Sequence, residues 1–113
     1  MTEFQNIAQT LTSMAKLVPD CPAIYFPVKK ISEDDFDYKV YSFKELDEKS
    51  HHLAKGLLEF GFTRGDRVAL MIPPSIEFFA LTFALYKAGL SIVLIDPGIG
   101  LKHLKTCLNE ASP

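Results

Sequence analysis

Arg67-Val68-Ala69-Leu70-Met71-Ile72, Pro73-Pro74-Ser75, Ile76-Glu77-Phe78-Phe79-Ala80-Leu81-Thr82-Phe83-Ala84-Leu85-Tyr86-Lys87-Ala88, Gly89 and Ile92-Val93-Leu94-Ile95 decide the fold. The first run is short, largely apolar and β-branched enough to suit a strand buried on both faces. Two prolines break it, and Ser75 can cap a helix that runs to about Ala88, with Gly89 just past its end. That helix is apolar nearly all round, so it requires cover on more than one side. Ile92–Ile95 is a second apolar strand. Strand, helix and strand joined by short loops predict a parallel, right-handed βαβ unit, with residues 67–72 and 91–95 as adjacent strands.

Upstream, Phe4, Ile7, Leu11, Met14, Ala15 and Val18 recur at helical spacing, and Pro19 closes that segment. Two extended stretches follow, Ala23–Phe26 and Tyr38–Phe43, which predict a hairpin with a long connection through Glu33, Asp34, Asp35 and Asp37. Those acids lack the spacing, mid-loop glycine and distal glutamate of a calcium loop, so they read as a solvated loop. Ser42 and Glu45 have the spacing of a capping box. The helix they open places Leu46, Leu53, Ala54, Leu57 and Leu58 on one face, sets Glu45 near Lys49 and Glu48 near His52, and stops at Gly61. Downstream, Asp96-Pro97-Gly98-Ile99-Gly100 leads into an amphipathic helix carrying Leu101, Leu104, Leu108 and Ala111. The chain therefore reads as α/β: a β-hairpin, then a parallel βαβ unit, with flanking helices.

Composition narrows the function classes. Twelve basic against 14 acidic residues give a net charge of −2 without a basic stripe, which removes the electrostatic case for nucleic acid. At 113 residues the chain is one domain or part of one. A chain of this size can bury roughly 65% of its unfolded surface. The longest apolar run, Phe78–Tyr86, is too short to span a bilayer. Cys21 and Cys107 have no metal or redox spacing, and no basic-then-apolar leader opens the sequence, so a cytoplasmic, reduced protein is expected.

Chemistry-bearing motifs are sparse. Gly98-x-Gly100, after a strand and before a helix, suits a phosphate turn, but His103 replaces the third glycine of the dinucleotide fingerprint, and a plain tight turn explains both glycines. Gly56-xxxx-Gly61 has P-loop spacing but lacks the Lys-Ser/Thr that follows. Arg64-Gly65-Asp66 is a turn between helix and strand. His51 and His52 are adjacent on a charged helix face, cannot both face one metal, and have no third ligand nearby in sequence. No nucleophile elbow or paired carboxylate is present.

Four strings in order resemble the opening of the adenylate-forming superfamily of acyl-CoA synthetases, luciferases and peptide-synthetase adenylation domains. Tyr41-Ser42-Phe43-Lys44-Glu45-Leu46 resembles its first core motif. Gly61-x-x-x-Gly65-Asp66-x-Val68-Ala69 is similar to its glycine-rich turn and first buried strand. Pro73-Pro74-Ser75-Ile76-Glu77-Phe78 resembles the turn and helix start that follow, with Pro74 where asparagine is commoner. Lys87-Ala88-Gly89 through Asp96-Pro97 resembles the second core motif. Many relatives carry proline where Leu94 stands. Val93–Gly100 continuing into Leu101–Leu104 is similar to the branch of β-lactone synthetases of olefin biosynthesis and nearby fatty-acid ligases. The resemblance covers about residues 4–113.

This resemblance implies the first part of a larger ligase, with residues 1–113 as one partial domain at the start of its large N-terminal domain. Such a ligase uses ATP and Mg2+ to convert a carboxylate, here a fatty or 3-hydroxy fatty acid, into an acyl-adenylate. The acyl group then passes to a thiol or closes a ring. The family's phosphate loop, nucleotide contacts and catalytic lysine have no match in these positions. No catalytic, cofactor-binding or metal residue is therefore assigned, and no cofactor is expected on this segment alone. Its expected partners are the remainder of the parent chain, a small-molecule carboxylate and, for the isolated segment, further copies of itself. Two alternatives stand beside the ligase: a free-standing nucleotide-binding module using Gly98–Gly100, and an interaction domain presenting the Phe78–Tyr86 helix.

Overall fold

The computed structural model describes residues 6–33, 35–96 and 98–113. The element order is α1 (Ile7–Leu17), β1 (Pro22–Ser32), β2 (Asp35–Ser42), α2 (Phe43–Phe60), β3 (Arg67–Leu70), α3 (Ile76–Lys87), β4 (Ser91–Leu94) and α4 (Leu101–Ala111). Two two-stranded sheets result, an antiparallel β1–β2 ribbon and a parallel β3–β4 pair.

The βαβ unit forms as its sequence requires. Arg67, Val68, Ala69 and Leu70 lie opposite Ser91, Ile92, Val93 and Leu94 in parallel register. β3 stops at Leu70 instead of Ile72, because Pro73 and Pro74 lack amide donors and bias the residue before them away from regular pairing. Ser75 caps α3, its Oγ accepting from the Phe78 amide at 3.1 Å. Burial on both faces of β3 does not hold: Leu70 is buried and Val68 half-buried, but Arg67 and Ala69 are exposed. The buried helical cluster packs against the face that carries Val68, Leu70 and Ile92. α3 receives the multi-sided cover its composition demands: Ala80 and Ala84 are fully buried and Leu85 nearly so.

Two apolar clusters meet along α3. Leu70, Ala84, Leu85, Ala88 and Leu90 pack with Ala54 of α2, while Ile76 and Ala80 pack with Leu46 of α2 and Leu11 of α1. Small residues on α3 let the neighbouring helices approach closely, and the larger side chains of α1 and α2 fill the space above them. Ser42 and Glu45 close both halves of the capping box, and Gly61, at φ 125°, ends α2. Leu58, placed on the apolar face by its spacing, is half exposed instead. Phe4 lies outside the described residues.

The hairpin differs most from its expectation. β1 and β2 extend to Ser32 and Asp35, so Asp35 and Asp37 belong to a strand and the connection is short. Alternating tyrosine, phenylalanine and valine carry the ladder outward. Asp34 lies outside the described residues. β1 contains three register shifts, at Pro22/Ile24, Pro27/Lys29 and Lys30/Ser32, each inserting an extra residue opposite an unbroken β2. Only the base of the ribbon reaches the core, through Ala23, Ile24 and Tyr41.

Candidate functional site

The polar feature that organises the described residues is Asp47, on the second turn of α2. Its carboxylate accepts from Lys87 Nζ at 2.6 Å and from Thr12 Oγ1 at 2.9 Å, both on Oδ1. Lys87 also donates to the Asp47 carbonyl at 2.9 Å, and Ser50 Oγ donates to the same carbonyl at 2.9 Å. Asn6, which caps α1, donates through Nδ2 to the Tyr86 carbonyl. Three helices are thereby joined through one carboxylate. The Lys87 and Asp47 side chains are 13% and 21% exposed, so the pair sits largely out of water and satisfies its own charges.

Beside it lies an open cleft of about 540 Å³, bordered by Asn6, Gln9, Thr12, Glu48, His51 and His52. The histidine rings are exposed and 6.5 Å apart edge to face. Among the described residues no group of three or more His, Cys, Asp or Glu is placed to hold a metal ion. Neither Glu45–Lys49 nor Glu48–His52 closes; the ion pair among the described residues is Asp47–Lys87. The sequence reading missed that pair because 40 residues separate its members. The available signal was Lys87 itself, a cation ending a helix otherwise apolar except for Glu77 and Thr82, which needs a partner once the helix is buried.

The Gly98–Gly100 turn does not fit a triphosphate. Asp96 Oδ1 accepts the Gly98 amide at 2.9 Å and its carbonyl accepts the Ile99 amide at 3.1 Å. A carboxylate thus occupies the position an anion would need. Gly100, at φ 86°, begins α4 without a side-chain cap, and Lys102 is exposed beyond it. Pro97 lies outside the described residues. The Arg64-Gly65-Asp66 string is a structural turn: Asp66 Oδ2 accepts the Thr63 amide at 2.8 Å. Cys21 is exposed and Cys107 half-buried, and both are free thiols. No helix among the described residues is long and apolar enough to cross a membrane.

Comparison with known proteins finds relatives across nearly the whole chain. The family described as "AMP-binding enzyme" matches residues 11–113. The olefin beta-lactone synthetase of Xanthomonas campestris pv. campestris is 46% identical over 100% of this chain, which spans 20% of that protein's length. The enzyme of the same description from Stenotrophomonas maltophilia is 43% identical over 96% of the chain and 20% of its own length. Among solved structures, Klebsiella oxytoca NpsA in complex with 3-hydroxyanthranilyl-AMSN superposes with a TM-score of 0.84. That match covers 97% of this chain and 20% of NpsA, at 23% identity. The fold is thus shared with longer proteins, and this chain, matched across residues 11–113, belongs to the AMP-binding enzyme family.

Proposed function

We propose that the chain is part of an ATP-dependent ligase that activates a fatty or 3-hydroxy fatty acid as its acyl-adenylate and then cyclises it or passes it to a thiol. The observation that carries this reading is the 46% identity to an olefin beta-lactone synthetase across the whole chain. ATP and Mg2+ serve the intact protein, in the cytoplasm. The 113 residues act as one partial domain: a scaffold of three helices and a βαβ unit on which the catalytic groups of the longer protein are built. No residue here is assigned to catalysis. Asp47 and Lys87 neutralise each other, and the glycine turn is occupied by Asp96.

Adenylation requires cations and amides around the triphosphate as pyrophosphate departs. Pyrophosphate–ATP exchange, with a panel of fatty and 3-hydroxy fatty acids, tests the reading. The intact gene product should exchange with at least one of them, and the 113-residue chain with none. Silence from a folded intact product across the panel would remove the reading, and exchange by the short chain would reveal a site within it.

A further inference from the structure

We propose that β2 pairs with β2 of a second copy, antiparallel across a two-fold axis at Tyr38, joining two ribbons into a four-stranded sheet. This deepens the partner side of the reading above and does not depend on the ligase chemistry.

Both ribbon edges are open among the described residues, but they are not equivalent. β1 is interrupted by three register shifts and carries Pro22 and Pro27, which cannot donate to a new neighbour. Bulges and prolines are devices that blunt an edge. β2 has neither, and every residue from Asp35 to Val40 is exposed. Its outer edge is a regular, unprotected template.

The sequence along that edge is complementary to itself. Around Tyr38 it reads Phe36-Asp37-Tyr38-Lys39-Val40. With Tyr38 opposite its symmetry mate, Asp37 faces the second copy's Lys39 twice over, and Phe36 faces the second copy's Val40 twice over. A two-fold interface requires this reciprocity. Opposite charges and aromatic–β-branched pairs directly across a ladder are the stabilising kinds.

The register is also selected. Only residues of the same ladder phase can oppose one another, so the nearest alternatives are shifts of one residue per strand. One shift puts Asp37 against Asp37, although it keeps two opposite-charge pairs between Asp35 and Lys39, and the other puts Lys39 against Lys39 with no opposite-charge pair. Each sets like charges face to face at the axis.

The same alternation gathers the apolar groups. Phe36, Tyr38 and Val40 lie on one face of β2 and are 39%, 49% and 44% exposed. Tyr25 and Pro27 stand opposite Val40 and Tyr38 on β1 and extend that face. Lys39 lies on the other face, its ammonium 5.2 Å from the Tyr41 ring, which keeps it clear of the apolar surface. Pairing makes one apolar strip from two half-strips too small to be stable interfaces alone.

A charge swap tests the pairing in the 113-residue chain by analytical ultracentrifugation over a concentration series, with circular dichroism confirming that each variant is folded. The parent chain should dimerise. D37K and K39D each turn two attractive pairs into two repulsive ones, and should weaken the dimer by roughly tenfold or more. The double variant D37K/K39D restores complementarity and should recover the parent affinity, an outcome that simple damage to the hairpin cannot produce. As a second readout, Tyr38→Cys in a Cys21→Ser/Cys107→Ser background should oxidise to a disulfide-linked dimer. A parent chain monomeric at all concentrations overturns the proposal, as does a dimer indifferent to the single swaps. Failure of the folded double variant to recover overturns it too.

Discussion

The Gly65 amide donates to the Gly89 carbonyl at 2.9 Å, which clamps the turn before β3 onto the turn before β4. The Ser91 amide, donating to the Asp66 carbonyl at 2.8 Å, continues the clamp into the parallel ladder. Both glycines have positive φ, 92° and 76°, so the two turns adopt a backbone other residues resist.

Gly89→Ala tests that clamp. A Cβ at Gly89 would stand 2.8 Å from Arg64 Cγ, whereas one at Gly65 meets nothing within 4 Å. Gly89→Ala should destabilise by about 1–2 kcal/mol from the backbone alone, plus the displacement of Arg64. Urea denaturation should show Arg64→Ala recovering the second part and leaving the first.

Lys87→Met should lower stability by about 2–3 kcal/mol, because it leaves the Asp47 carboxylate largely buried with Thr12 as its remaining side-chain donor. Asp47→Asn should cost less, since an amide oxygen can still accept from both partners. Denaturant midpoints for the two variants and their combination should be non-additive.

Ser42→Ala removes one half of a closed capping box and should cost about 1 kcal/mol. The far-ultraviolet melting curve should shift to lower temperature, with the folded spectrum unchanged.

Amides of α4 should exchange with deuterium at least a hundredfold faster than those at the centre of α3. α4 buries no residue, and a hydrogen bond from Arg67 Nη1 to the Ala111 carbonyl, 3.0 Å long, fastens its end. Ala80 and Ala84 of α3 are fully buried. Exchange measured by mass spectrometry after proteolysis separates the two segments.

What could be read from residues alone follows the range of the forces involved. Caps, glycine stops and the βαβ unit are local, so Ser42, Ser75, Gly61 and the run from Arg67 to Leu94 announced themselves. The hairpin's length was hidden because its outer half buries nothing: Val28 and Ile31 are 56% and 63% exposed. Burial patterns could not reveal it, and the acids Asp35 and Asp37 favoured a loop. Asp47–Lys87 was invisible because chain geometry, not spacing, brings it together. The family was legible from four strings in order, while no single string carried chemistry.

The Asp47 node also bears on the order in which the chain assembles. Thr12 and Lys87 reach Asp47 from 35 and 40 positions away in opposite directions. Closing both loops requires α1, α2 and α3 to be already docked. The β1–β2 ribbon and the βαβ unit both close over shorter spans, so their contacts are expected to form ahead of the node. Weakening the node should therefore leave the refolding rate nearly unchanged and speed unfolding, making Lys87 a brake on the opening of the helical layer.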